Sequence, residues 1–173
     1  MEYLLDYAKE NKIDAYKLKS SEVVVEDRIS LKCAYGCADY GKRMNCPPHV
    51  PTIEDFRKIL REYEDTLVLV MDYKMESSDY IKEWNTAKEK AFRVMLELER
   101  EAFKKGYRMS HLLRAGSCGI CEECSNPCRN PALRRFSPEA VGVNIDATLA
   151  KLKISIDYGE IDQLKLIGLL LVR

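Results

Sequence analysis

All seven cysteines of this 173-residue chain fall in two windows: Cys33, Cys37 and Cys46 in the first, Cys118, Cys121, Cys124 and Cys128 in the second. Four thiols within the eleven residues "CGICEECSNPC" are too dense to be explained by packing. The first window, "CAYGCADYGKRMNCPPHV", is rich in Gly, Pro, Asn and Asp, so residues 33–51 and 116–131 are both expected as loops. A disulfide framework is the first alternative, and an odd number of cysteines argues against it. The opening residues "MEYLLDYAKENKIDAYK" carry acids among the apolar side chains and do not read as a signal peptide. The longest apolar run, "LKLIGLLLVR", is about half of the roughly twenty residues a membrane-spanning helix needs. The expectation is a cytoplasmic protein with no membrane association, where thiols stay reduced and clustered cysteines serve metal or redox chemistry.

Charge narrows the partners. Lys+Arg and Asp+Glu each total 28, a formal net charge of zero, which argues against nucleic acid as a partner. With 46% apolar and 32% charged residues the composition is that of an ordinary globular protein, expected as a single domain over residues 1–173.

Hydrophobic periodicity outlines the fold. "EYLLDYAKEN" has the spacing of a short amphipathic helix. "SEVVVEDRISLKC" is β-rich and is expected to carry the chain to Cys33 as a strand. Thr52, followed three residues later by Asp55, caps a helix whose apolar stripe is Ile53, Phe56, Ile59, Leu60 and Tyr63. "TLVLVMDY" has the continuous apolar pattern of a strand covered on both faces. From about residue 78 to 105, Trp84, Ala87, Ala91, Met95, Leu98 and Ala102 recur at helical spacing, and Gly106 marks the stop. "YRMSHLLRAG" reads as a strand. Ser137-Pro138-Glu139 opens a helix running toward Lys151 with an interruption near Gly142, and "QLKLIGLLLVR" closes as a buried strand. This order predicts an α/β sandwich, a central and mostly buried sheet with helices packed on it and each cysteine loop following a strand.

The second window reads C-x2-C-x2-C-x3-C. Zinc modules commonly supply two separated pairs of ligands. Three cysteines at successive intervals of three with a fourth four residues later match the run that grips a four-iron cluster in bacterial ferredoxins. The ferredoxin run ends in Cys-Pro, however, whereas Cys128 is preceded by Pro127 and followed by Arg129. Cys128 can therefore serve its own loop or a site shared with the first window. An iron–sulfur cluster, one or two and of the 4Fe-4S type, is the preferred cofactor, with zinc as the alternative. In the first window the spacing x3 then x8 departs from the radical-SAM loop, whose third cysteine comes much sooner. Seven cysteines cannot supply eight ligands, so two four-iron clusters would leave one iron to His49, Asn45, Asp39, water or a substrate.

Arg129 and Arg134 after the second window, and Lys42 within the first, are candidates for offsetting the negative charge of a thiolate cluster; the competing reading of each is a solvated basic face. Arg43, Arg108, Arg114 and Arg135 invite the same pair of readings. His49 is the better of the two histidines as a ligand, while His111 on a strand reads as structural. Tyr35 and Tyr40 either shield the first site from water or simply pack, and packing is the preferred reading. No glycine-rich phosphate loop, nucleophile elbow or helical pair of histidines occurs in the sequence. Three functions follow: electron transfer or redox coupling with a partner protein; an enzyme whose three-cysteine cluster binds a small-molecule substrate at an open iron; and a zinc-stabilised interaction module.

"CAYGCADYGKRMNCPPHVPT", "AGSCGICEECSNPCRNP" and "SPEAVGVNID", taken in order, resemble a family of small predicted metal-binding proteins of unknown function found mainly in archaea and anaerobic bacteria. The resemblance runs from about Val23 to Ile145. It implies a cytoplasmic iron–sulfur or other metal protein and, carried over by position, Cys33, Cys37, Cys46, Cys118, Cys121, Cys124 and Cys128 as ligands. It implies no reaction.

Overall fold

The computed structural model describes residues 1–159 and 162–173. Its frame is a four-stranded sheet of β1 (Asp14–Lys19), β2 (Asp65–Lys74), β3 (His111–Leu113) and β4 (Gln163–Val172), in the order β1-β2-β4-β3. Every pairing is antiparallel. Among the described residues five α-helices accompany it: α1 (Glu2–Glu10), α2 (Ser30–Gly36), α3 (Ile53–Leu60), α4 (Tyr80–Lys104) and α5 (Ile145–Lys151).

The central strands are apolar on both faces because both faces are covered. Leu67 and Leu69 of β2, with Leu166, Leu170 and Val172 of β4, pack against Leu4 and Ala8 of α1 and Ala91, Met95, Leu98 and Ala102 of α4. The alternate residues Val68, Val70, Ile167, Leu169 and Leu171 join Phe56 and Leu60 of α3 and Leu149 of α5 on the opposite face. Successive side chains of a strand point to opposite faces, so an unbroken apolar run is what a helix–sheet–helix sandwich requires. The expected α/β sandwich is the observed one.

Local signals place the helices. Thr52 accepts the Asp55 N–H at 3.1 Å to start α3, and Asp79 accepts that of Lys82 at 3.0 Å to start α4. Gly106 follows α4 with φ of +99°, and the last expected helix is broken at Gly142, whose φ is +86°.

Two expectations differ from the structure. Residues 21–33 do not form a strand of the sheet. Val24 and Glu26 instead exchange backbone hydrogen bonds with Asn144 and Gly142, and the chain reaches Cys33 through the short helix α2. The valines pack against the approach to α5, where Val25 forms an isolated bridge with Val143. β1, "DAYKLK", has no counterpart among the sequence expectations. It is an edge strand with only Leu18 buried, so its sequence lacks the apolar alternation that would have made it legible. The second cysteine loop does follow a strand, β3; the first does not.

Candidate metal centre

The two cysteine windows lie against each other. The Met44 N–H donates to Cys124 Sγ at 3.3 Å, and the Cys118 N–H donates to Asn45 Oδ1 at 3.1 Å. Arg43 reaches the Cys121 carbonyl at 3.5 Å, and Ser117 donates its hydroxyl proton to Asp39 at 2.5 Å. Asn45, only 1% exposed, also donates its amide to the Arg135 carbonyl at 3.1 Å. Arg135 is in turn clamped by the buried Glu99 of α4 at 2.7 to 3.1 Å. A line of braces therefore runs from the long helix through Arg135 and Asn45 to Cys118. Each cysteine window contains one cis X-Pro bond, Pro47-Pro48 and Asn126-Pro127.

All four cysteines of the second window wall one cavity of about 20 Å³, shared with Arg43, Asn45, Asn130 and Arg134. Asn130 Nδ2 donates to Cys121 Sγ at 3.1 Å, which with the Met44 N–H puts two nitrogen donors on sulfur. Donors placed this way stabilise a thiolate more than a thiol and are the usual surroundings of metal-bound cysteine. Beneath the loop lies Arg114, fully buried at 0% exposure. Its Nη2 pairs with Glu89 at 2.5 Å and its guanidinium stacks 4.2 Å over the Phe92 ring, while Nε and Nη1 have no hydrogen-bond partner among the described residues. A buried cation with unspent donors suits a neighbouring anionic centre. Burial raises the pKa of Cys118; the Ile120 N–H and Arg114 pull it back in part. Glu89 also accepts the Gly119 N–H at 2.9 Å, so α4 fixes the start of this loop.

The cysteines of the first window feel one another. Burial raises Cys33, and nearby Cys37 and Glu139 add to it. Cys46, 8% exposed, is pushed up to about 12 by burial first and then by Asp39, Cys37 and Cys33. Cys37 is exposed. Of the proposed non-cysteine ligands, Asp39 is committed to Arg43 at 3.2 Å and to Ser117. Burial alone would raise its carboxyl, but Ser117, Arg43 and Lys88 outweigh that and hold it below its ordinary value. The His49 ring lies 3.4 Å from the Gly41 carbonyl.

The supporting cations separate. Arg134 lines the cavity of the second window; Arg129 is exposed and donates to Ser125 at 3.1 Å; Lys42 is exposed in a turn. Arg43, its sequence neighbour, is the one that reaches across to the other window. Lys88 of α4 is buried and bonds Ser117 at 3.2 Å, its pKa lowered by burial against the pull of Asp39. Tyr35 and Tyr40 are exposed rather than packed. Lys88, Glu89, Ser117 and Asn130 escaped the sequence reading, and no local pattern marks them: each acts through a residue distant in the chain or through a loop conformation. His111 lies with its ring centroid 5.2 Å from that of Phe136, the two rings tilted by 41°.

As they stand, no three His, Cys, Asp or Glu side chains among the described residues are close enough together to hold an ion. The donor chemistry nevertheless fits a thiophilic metal. All seven cysteines are free, four of them share one cavity, and nitrogen donors and the guanidinium groups of Arg43 and Arg134 line that cavity.

A helix-covered antiparallel sheet presenting two facing cysteine loops defines a thiol-rich metal-binding class of protein. Residues 16–172 match the model of a family described as predicted metal-binding protein, DUF2284, and the chain belongs to that family. Neither the curated proteins nor the solved structures compared with the chain gave a match. No helix among the described residues is long and apolar enough to cross a membrane.

Proposed function

We propose that this chain is an iron–sulfur protein of electron transfer or redox coupling, with Cys118, Cys121, Cys124 and Cys128 holding one four-iron cluster. The observation that carries this reading is the common cavity of the four thiols, with Asn130 and Met44 donating hydrogen bonds to two of the sulfurs. Such a cluster, when bound, supplies a reversible one-electron couple. The chain's own residues supply the charge balance. Arg43 and Arg134 at the cavity wall and Arg114 below it favour the reduced, more negative state, and the sulfur-directed N–H groups act in the same direction. Cys33, Cys37 and Cys46 form a second thiol group beside the first, joined to it by Met44, Asn45 and Arg43. That adjacency supports redox coupling between two centres.

A second reading, a zinc-stabilised module, is favoured by the size of the cavity. About 20 Å³ suits a single ion, whereas a cubane needs the turns of residues 118–128 to spread. Anaerobic purification followed by iron, acid-labile sulfide and zinc quantification distinguishes the two. The redox reading expects brown protein with iron and sulfide in comparable amounts, and loss of most of that iron in Cys121→Ala. Colourless protein with stoichiometric zinc leaves only the module. If Cys46→Ala and Cys121→Ala lose the same metal equally, the two thiol groups form one site.

A further inference from the structure

A second cavity, of about 260 Å³, lies between the start of α4, the approach to α5 and the beginning of β4. It is walled by aromatic and apolar side chains, among them Trp84, Tyr158, Ile156 and Leu164. It also touches the approach to each cysteine window: Lys32, the neighbour of Cys33, lines one side and Gly116 another. The indole of Trp84 packs on Gly116 so closely that a Cβ there would lie 3.3 Å from Cζ2.

We infer that this cavity is a binding site for a small single-ring organic amine or amidine. Its volume, just under the roughly 300–1,000 Å³ of common ligand sites, admits one ring and a short substituent. Its charge selects the substituent. Two carboxylates, Asp146 and Asp157, face two ammonium groups, Lys32 and Lys165, while burial pushes the carboxyl of Glu139 up toward its neutral form. Lys165 is already held by Asp72 at 2.7 Å, outside the cavity lining. Asp146 accepts the Tyr158 hydroxyl at 2.7 Å and Asp157 the Gly159 N–H at 2.8 Å, so each retains free lone pairs. A cationic donor would sit against carboxylates at one end and against the faces of Trp84 and Tyr158 along its body, the combination that recognises organic cations. An anionic ring would meet the same carboxylates and be repelled.

This site goes beyond the metal-centre reading and does not depend on it, so the test is run on the purified full chain with its metal content measured separately. Titration calorimetry with benzamidine is expected to give saturable one-site binding, and with benzoate none. The emission of Trp84, the only tryptophan in the chain, is expected to shift with the same midpoint. Asp146→Asn, which keeps an acceptor for the Tyr158 hydroxyl, is expected to weaken benzamidine at least tenfold. Should that variant lose its circular dichroism signature, Lys32→Gln serves in its place and is expected to tighten benzamidine severalfold. The inference is overturned by no benzamidine heat up to the millimolar range, by benzoate binding equally well, by a silent Trp84, or by affinities in the folded variant that match the parent within twofold.

Discussion

Asn45 and Cys118, separated by 73 positions, are joined by a 3.1 Å hydrogen bond from the Cys118 N–H to the Asn45 side-chain oxygen. The same amide donates to the Arg135 carbonyl. One buried side chain thus holds the two thiol loops and the segment after the second of them in a common frame. The geometry of either thiol group is then a property of both.

Asn45→Ala is expected to destabilise the fold by about 2 kcal/mol, because it leaves the part-buried Arg135 carbonyl and Cys118 N–H both without their partner. Urea denaturation measures the loss. Metal content is expected to fall at both thiol groups, and an effect confined to the first window would contradict the shared frame.

Glu89→Ala removes the partner of a fully buried guanidinium and the acceptor of the Gly119 N–H. An uncompensated buried charge costs about 3–5 kcal/mol, and the partial exposure of Glu89 places the expected loss near the lower end. Glu89→Gln, which keeps an acceptor, is expected to lose less than half as much. Equal midpoints for the two variants in denaturant would show that the charge of Glu89 is unimportant.

Gly142→Ala strains the backbone and the packing at once. The φ of +86° disfavours any side chain, and a Cβ would lie 2.9 Å from atoms of Ile53. The expected loss is about 2–4 kcal/mol, summing the left-handed conformation and the overpacking. Adding Ile53→Ala relieves only the packing part, so the double variant is expected to unfold at a higher denaturant concentration than additivity predicts.

The buried Cys46 thiol gives a pH signature to the metal-free protein. Burial, then Asp39, Cys37 and Cys33, lift its pKa from 9.0 to about 12. The folded chain therefore holds this proton more tightly than the unfolded chain does. The resulting stabilisation is complete below about 9 and is lost as pH rises toward about 12. Denaturation midpoints of metal-free protein are expected to fall between about pH 8 and about pH 10, and less so in Cys46→Ala. Metal uptake follows the opposite trend, since ligation requires the thiolate and releases the proton. A midpoint that rises over this interval would contradict the burial argument.

Much of the fold is legible because its signals are local. Thr52 caps the helix that follows it through a hydrogen bond three residues long. The alternate residues of "TLVLV" feed two different cores simply because a strand's side chains alternate. Residues 21–33 misled because β-branched residues favour extended backbone without specifying which partner they pair with. Val24 found the loop before α5 instead of a sheet edge.

What the sequence determined unaided is the chemistry: seven thiols in two Gly-, Pro- and Asn-bearing windows, within a chain whose apolar periodicity builds a sandwich. What only the tertiary structure decided is that the windows meet, that Asn45 and Arg43 bridge them, and that Arg114 lies buried below with Glu89 as its counterion. Spacing within a segment records which neighbours a backbone can bring together over a few residues. A contact between residues tens of positions apart depends on how whole elements stack, and no local pattern carries it.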